Sequence, residues 1–496
     1  MTTLLHDLLD ATAARRPGHV AVRDHDTELR YADLAARSRR LGDWLRGTGV
    51  RRHDRVLLAL PAGVDLAALV YACSRVGAVF VVLRPDTPAA VAAHVCADSA
   101  ATLMVTDSQP LRRVAAEHRI AAYRPPDAAH PTHGGPDGPP PVPVLPVDPA
   151  CFVYTSGSVA MPKAVVSTHQ QMTFAAGAVQ SRLLYGPADV VYNPLPLSFD
   201  YGLYQLFLCA IGGARLHLAT AEDAGHRLVA RLAEASATVL PAVPSLAANL
   251  ARLLERRPAP LPRLRLITNT GAAMPDDLLR RLRRHLPQTR IQLMYGLTEC
   301  KRATIMDPDE DLERPGACGR ALPGTEVYTV DDHGRRLPPG QIGEVVVRGP
   351  HVMAGYWRHP RLTAQRFHRA EGLFPELRTG DYGRLDETGC LYFVGRRDDL
   401  YKERGVRVST IEVEAAALRV PGVHAAAVVP PSDGTGGATL FVRAGLSSER
   451  VLNALRDELE EAKVPTRCVV MDELPLNAHG KIERRALASL AGAADD

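Results

Sequence analysis

The sequence predicts an α/β fold, on three observations. From residue 55 onward, short apolar runs alternate with stretches of helical spacing: 55–60, 79–83 and 103–105 read as strands, 64–76 and 89–99 as helices. That alternation implies parallel sheets covered by helices on both faces. Three further apolar runs, at 238–240, 264–267 and 291–294, are each followed by a turn and read as buried strands. From 324 to 348 the pattern changes to short alternating strands with glycine and proline turns, which predicts a small β-rich subdomain at about 324–397. A chain of 496 residues holds two or three domains, or one large domain and a small one. The basic–acidic turn that follows Arg396 marks the boundary, giving a large N-terminal domain over 1–397 and a compact α+β C-terminal domain over 398–496.

Taken in order, 4–14 has helical spacing, and 20–23 with 29–31 read as a short hairpin. Residues 31–47 are helical again, with Leu34, Leu41 and Leu45 on one stripe. The stretch 124–149 is rich in proline, glycine and histidine without periodicity, and reads as a loop or linker. Residues 190–219 hold Pro194-Leu195-Pro196-Leu197-Ser198-Phe199-Asp200-Tyr201-Gly202, then an apolar helical face. No internal repeat is visible.

Composition narrows the function classes. Hydrophobic residues make up 46% of the chain and charged residues 23%, as in a soluble globular protein. A formal charge of +4 on this length points neither to nucleic acid nor to a membrane surface. The eight cysteines are scattered, with no C-x-x-C pair, which argues against a disulfide framework or zinc site and for a reducing cytoplasm. The N-terminus lacks a basic region followed by a long apolar one, and no apolar run approaches the roughly 18 residues of a membrane span. A cytoplasmic location is expected.

The stretch Thr155-Ser156-Gly157-Ser158-Val159-Ala160-Met161-Pro162-Lys163-Ala164 follows the apolar run Cys151-Phe152-Val153-Tyr154. A strand running into small hydroxyl residues, a glycine and a lysine suggests a phosphate-binding loop, with backbone N–H groups and hydroxyls around the oxygens and the lysine offsetting their charge. It is not the loop of the P-loop NTPases. Pro162 stands where that motif needs glycine, and Ala164 where it needs the magnesium-binding hydroxyl.

The stretch resembles the T-S-G-S-T-G-x-P-K-G signature of the adenylate-forming enzymes: acyl-CoA synthetases, peptide-synthetase adenylation domains and luciferases. Four more matches follow in the family's order. Tyr295-Gly296-Leu297-Thr298-Glu299 matches Y-G-x-T-E, and Arg378-Thr379-Gly380-Asp381 matches the T-G-D motif. Gly395-Arg396-Arg397-Asp398, continuing through Lys402-Glu403-Arg404-Gly405 to Glu412 and Glu414, matches the hinge motif. Leu474-Pro475-Leu476-Asn477-Ala478-His479-Gly480-Lys481 matches the C-terminal lysine motif. The resemblance covers essentially the whole chain.

The resemblance implies ATP-dependent activation of a carboxylic acid as acyl-AMP and its transfer to a thiol, that is, an AMP-forming acid–thiol ligase. It implies ATP/AMP and Mg²⁺ as cofactors and coenzyme A or phosphopantetheine as acceptor. Thr155, Ser156, Gly157, Ser158 and Lys163 would hold phosphate. Glu299 would hold Mg²⁺, a task for a hard oxygen ligand. Thr298 would bond the α-phosphate, Tyr295 and Gly296 with Gly271 would line the nucleotide site, Asp381 would accept from the ribose hydroxyls, and Arg396 would support that region. Lys481 would stabilise charge developing on the α-phosphate. Asp398 would be the hinge about which a mobile C-terminal domain turns, bringing Gly405 to the thiol tunnel.

The loop departs from the family's pattern. Val159 replaces a hydroxyl, and Ala160 and Ala164 replace glycines. Alanine adopts positive φ at a cost of about 1 kcal/mol, so strain is expected there. An enzyme that only transfers a preformed acyl-adenylate, or an inactive nucleotide-binding homologue, is an alternative. The substrate pocket is assigned to Phe199, Asp200, Tyr201, Gly202 and Leu203 with 270–272. Asp200 stands where amino-acid adenylation domains place the aspartate that pairs with the substrate ammonium; the other reading seats it hydrogen-bonded at the pocket rim. A stand-alone amino-acid adenylation enzyme serving a carrier protein is therefore a second function. No carrier module is recognised after the last motif, so the acceptor is expected to be coenzyme A or a free-standing carrier.

Overall fold

The computed structural model describes residues 4–126, 143–155, 161–220, 222–369, 375–396, 400–403, 406–430, 437–475 and 482–492. The chain forms two compact units, one of Met1–Val327 with Val346–Arg378 and one of Tyr328–Val345 with Thr379–Asp496.

The larger unit contains two predominantly parallel sheets. In the first, the strands run in the order Arg320–Ala321, Thr304–Ile305, Arg290–Tyr295, Leu266–Asn269, Val239–Ala242, Val190–Asn193, Arg215–Leu218, Val20–Arg23 and Glu28–Arg30. Its central pairs are parallel and its outermost ones antiparallel. In the second, Gly355–Tyr356, Lys163–Thr168, Pro149–Thr155, Val79–Val82, Arg55–Ala59, Leu103–Thr106 and Ala121–Tyr123 lie side by side. The alternation of apolar runs and helical stretches thus becomes the expected mixed α/β architecture.

Two helices explain why the two sheets share one core. In Val64–Val76 and Asp200–Gly212 nearly every residue is buried, the pattern of a helix enclosed on all sides. Their rings meet edge to face, Tyr71 against Phe207 with centroids 6.0 Å apart. The Tyr71 hydroxyl donates to the Leu206 carbonyl at 3.3 Å. The buried Tyr31 hydroxyl lies 2.7 Å from the carbonyls of both Cys209 and Ala214, at the helix C-terminus. The helix that begins at Asp200 is therefore fixed at its far end.

Two local expectations shift. The helix expected over 31–47 is Tyr31–Gly47, and the hairpin strand expected over 29–31 is Glu28–Arg30, because the Tyr31 side chain is drawn into the core and its N–H donates to the His19 carbonyl. The strand expected at 264 begins at Leu266, since Leu264 closes a turn onto Leu261.

The region expected to be β-rich carries the strands Glu326–Val330, Gly343–Arg348, Glu376–Leu385 and Leu391–Arg396. In the smaller unit, Val423–Val429, Thr439–Ala444 and Arg467–Val470 form a three-stranded sheet. Helices Thr410–Arg419 and Ser448–Glu458 cover it, with Val413, Ala416, Val428, Leu440, Val451 and Leu455 in its core. Glu414 accepts from the Val428 N–H at 2.8 Å and from Arg484 at 2.8 and 2.9 Å, tying the helix to the sheet. Glu412 pairs with Lys463 at 3.0 Å.

Candidate functional site

The phosphate-loop motif lies on a hairpin. Strands Pro149–Thr155 and Lys163–Thr168 are antiparallel, with Thr155 opposite Lys163 and Tyr154 opposite Ala164. Ser156, Gly157, Ser158, Val159 and Ala160 lie outside the described residues. The strain expected at Ala164 is absent. It is a buried strand residue without positive φ, and its carbonyl accepts from the Trp357 N–H at 3.0 Å, so a Cβ costs nothing there.

A third short strand, Gly355–Tyr356, joins this hairpin antiparallel, with Gly355 opposite Val166 and Tyr356 opposite Val165. Gly355 has φ +127°, and a Cβ there would meet Thr363 Cγ2 at 2.4 Å, so only glycine fits. That register sets the Tyr356 ring beside Lys163, whose Nζ lies 4.3 Å from the ring centroid. The Tyr356 hydroxyl donates to Glu299 Oε1 at 2.6 Å. Burial pushes the Lys163 pKa down; Glu299 opposes this and Arg366 adds to it. Burial and the Glu299 charge push the Tyr356 hydroxyl up, so it stays a donor.

Glu299 reaches this place through a turn. The strand Arg290–Tyr295 ends at Tyr295, and the Ala303 N–H returns to the Tyr295 carbonyl at 2.9 Å. Gly296 permits the closure, since a Cβ there would lie 2.3 Å from the Lys301 carbonyl oxygen. Glu299 is 8% exposed, and its carbonyl accepts from the Met353 N–H at 2.8 Å. Tyr295 and Thr298 are half-buried on the same turn. Among the described residues no group of three or more His, Cys, Asp or Glu is assembled for a metal. A lone carboxylate suits Mg²⁺ that keeps water and phosphate as its other ligands.

The same turn delivers two cations to the interior. Lys301 has φ +63°, a conformation that side chains rarely adopt and that recurs at functional sites. It is 1% exposed, and its Nζ has no hydrogen-bond partner among the described residues. Arg302, 6% exposed, places its guanidinium 4.7 Å over the Tyr201 ring and its Nη1 3.5 Å from Asp200 Oδ2. Asp200 is 3% exposed and begins its helix, so it lies in the interior and not at a rim. Tyr201 is pinned beneath the guanidinium by a 2.6 Å hydrogen bond between its hydroxyl and Thr268 Oγ1. The Cys151 thiol senses both Lys301 and Asp200, and burial pushes it up to about 12.

Of the other expected pocket residues, Phe199 stands at the N-cap of the same helix, 3.6 Å from where a Cβ on Gly271 would point. Gly271 has φ +89°. The Thr270 hydroxyl is buried without a partner among the described residues. Gly202 faces the preceding loop, its missing Cβ 2.4 Å from the Pro196 carbonyl oxygen, and Leu203 is buried in the core.

In the smaller unit Asp381 is 4% exposed, opposite Arg396 in the ladder, with the Arg396 Nε 3.4 Å from its Oδ1. In the same strand, the Gly380 N–H donates to the Glu344 carboxylate at 3.0 Å. Asp398, Gly405 and Lys481 lie outside the described residues.

Sequence reading missed Lys301, Arg302 and Tyr356. A Lys-Arg pair set directly against the apolar run Ala303-Thr304-Ile305 was a visible signal, because charges in a buried stretch need a reason. Tyr356 had no such signal, since only strand pairing brings it to Glu299.

Residues 9–357 match the AMP-binding enzyme profile, and residues 412–481 match the AMP-binding enzyme C-terminal domain. The chain belongs to the AMP-binding enzymes. As a member, it is 34% identical over 97% of its length to the probable non-canonical nonribosomal peptide synthetase CymA of Salinispora arenicola, and spans only 6% of that relative. It is 30% identical to the L-proline–[L-prolyl-carrier protein] ligase of Pseudomonas fluorescens over 98% of this chain and 99% of the relative. The structure of VinN in complex with L-aspartate superposes with a TM-score of 0.72 at 38% identity, covering 79% of this chain and 98% of VinN. This AMP-binding enzyme has no helix, among its described residues, long and apolar enough to cross a membrane.

Proposed function

We propose that this AMP-binding enzyme activates an amino acid carrying a second carboxylate as its acyl-adenylate and passes the acyl group to a thiol. The observation that carries this reading is Lys301: a buried ammonium without a hydrogen-bond partner among the described residues, beside a buried Asp200–Arg302 pair. Withdrawing an ammonium from water costs several kcal/mol, which an anionic ligand offsets. Asp200 offers the opposite charge for a substrate ammonium. The single 3.5 Å contact to Arg302 is longer than the 2.7–2.9 Å of a charge-assisted hydrogen bond, so a ligand competes with it at small cost. VinN, whose structure holds L-aspartate, supports the same ligand class.

The geometry also favours one carboxylate over the other. The α-ammonium and α-carboxylate of an amino acid sit on one carbon, and Asp200 and Arg302 present opposite charges at matching proximity. Lys301 adds to the carboxylate side. The carboxylate held there is withheld from reaction, and the distal one is free to react.

In the first step an oxygen of that carboxylate bonds to the α-phosphorus of ATP and pyrophosphate leaves. In the second a thiolate attacks the acyl carbon and AMP leaves. Lys163 faces the phosphates, Thr298 bonds the α-phosphate, Tyr295 lies against adenine, and Glu299 holds Mg²⁺, which when bound offsets triphosphate charge. Asp381 takes the ribose hydroxyls, with Arg396 beside it. Lys481 meets the charge that develops on the α-phosphate, and Asp398 and Gly405 serve the domain turn and the thiol arm. The thiol belongs to a carrier protein, as the full-length match to a carrier-protein ligase supports.

Pyrophosphate release across aspartate, glutamate, their amides, β-alanine and simple acids tests the reading, with hydroxylamine trapping the adenylate. The expected products are side-chain hydroxamates of acidic amino acids. Turnover of simple acids alone, or α-hydroxamates, overturns it. Thioester formation from synthetic acyl-AMP without ATP-dependent pyrophosphate release would show that only the second step survives.

A further inference from the structure

We propose that Tyr356 is a positioning residue that holds the metal-binding carboxylate and the phosphate-facing lysine in register before nucleotide arrives. Its two ends do different work. The hydroxyl donates to Glu299 Oε1 at 2.6 Å, fixing the carboxylate rotamer and leaving Oε2 as the oxygen open to a cation. The ring face carries Lys163 Nζ at 4.3 Å, so the ammonium is seated by a π system without being neutralised by the nearby carboxylate.

The alternative arrangement explains why such a device is needed. Lys163 and Glu299 attract one another. A direct Lys163–Glu299 salt bridge would occupy both groups and would have to be broken by every incoming Mg·ATP. The aromatic ring between them prevents that collapse. Arg366, at the C-terminal end of the helix Pro360–Arg366, lies beside the same hydroxyl and adds a second cation to the cluster.

The backbone is committed to this placement. Gly355 and Tyr356 pair with Val166 and Val165, the Trp357 N–H continues to the Ala164 carbonyl, and the Tyr356 N–H donates to Thr363 Oγ1 at 3.0 Å. The Met353 N–H holds the Glu299 carbonyl at 2.8 Å, so the same segment grips Glu299 by main chain and by side chain. A tyrosine that served only packing would need neither the charged acceptor nor the cation on its face.

The inference rests on Glu299 taking the metal, and the experiment separates the two. Binding of ATP is measured by calorimetry with Mg²⁺, with Mn²⁺ and with the metal chelated, on the full chain and on E299Q, Y356F and Y356L, each checked by its melting temperature. E299Q is expected to abolish the gain in affinity that metal gives. Y356F keeps the ring and loses the hydroxyl; it is expected to raise the metal concentration for half-saturation about tenfold while metal-free ATP binds as in the parent. Y356L loses both and is expected to weaken metal-free ATP as well, because Lys163 loses its seat. If E299Q leaves the metal dependence unchanged, the assignment of Glu299 fails. If E299Q responds and Y356F titrates like the parent, the positioning role of Tyr356 is overturned. A Y356F protein that loses metal-free and metal-dependent binding equally also overturns it, since that is the signature of a packing residue.

Discussion

Asp200 Oδ2 and Arg302 Nη1 stand 3.5 Å apart in the interior of the larger unit, with the Tyr201 ring beneath the guanidinium. The two residues are 102 positions apart in sequence. One opens a buried helix, and the other follows the turn that bears Glu299. The carboxylate proposed to hold metal and the arginine of the proposed substrate pair are therefore three positions apart on one turn.

Asp200→Asn removes the negative member of this pair and leaves Arg302 buried without its counter-charge. Truncating one partner of a buried charge pair costs about 2–5 kcal/mol. The expected result is a lower melting temperature and at least a hundredfold loss in kcat/KM for amino acids in pyrophosphate exchange. Full activity in this variant would argue against an ammonium-bearing substrate.

Lys301→Met tests the cationic side more cleanly, because it removes a buried charge that has no hydrogen-bond partner among the described residues. Stability is expected to hold or rise. Loss of one charge-assisted contact costs about 2–3 kcal/mol, so KM for an acidic amino acid should rise roughly 30- to 150-fold, while a ligand without an α-carboxylate, such as β-alanine, is spared. Calorimetry against aspartate and β-alanine reads the difference.

Gly296→Ala forces a Cβ to within 2.3 Å of the Lys301 carbonyl oxygen and 2.7 Å of Arg302 Cα. Backbone has to move, and Glu299, Lys301 and Arg302 move with it. Both metal dependence and amino-acid KM should worsen together, by tenfold or more, in contrast to the selective effects of Y356F and Lys301→Met. Steady-state kinetics with Mg²⁺ and substrate varied in turn provides the check.

His351 makes a pH prediction. Burial alone pushes its imidazole down to about 4, and both ring nitrogens lack partners among the described residues. The folded protein holds it neutral, while the unfolded chain takes up a proton near 6.5. Stability is thus intact above about pH 6.5 and falls as pH drops from there toward 4, by at most about 3–4 kcal/mol for the drop from 6.5 to about 4. His169 and His217, also pushed down to about 4, act in the same window. Melting curves from pH 7 to 4 should show the decline, and His351→Leu should flatten its slope by one proton.

Much of the large unit was legible because its strands are buried on both faces and read as plain apolar runs, as at 79–83 and 291–294. The motifs that carry the family resemblance were legible because each is a short local string. Glu299 lies on its turn beside Tyr295 and Thr298, and Asp381 lies opposite Arg396. The substrate groups were harder to read. Asp200 stood out by position, yet its partner Arg302 is a single residue on a turn distant in sequence. Tyr201 was expected in the pocket, and it is the floor under Arg302 that its ring provides.

The sequence by itself determined the family, the α/β class and the order of the motifs, because apolar periodicity and short motifs are properties of neighbours along the chain. It also raised a doubt about Ala164 that a strand conformation removes, since backbone φ depends on pairing and not on the residue alone. Only the tertiary structure decided that Asp200 is interior, that Lys301 is buried with no hydrogen-bond partner for its ammonium among the described residues, and that Tyr356 touches both Lys163 and Glu299. Those relationships depend on strand register and on a helix wedged between two sheets, where residues far apart in sequence share one desolvated space and their charges act strongly on each other.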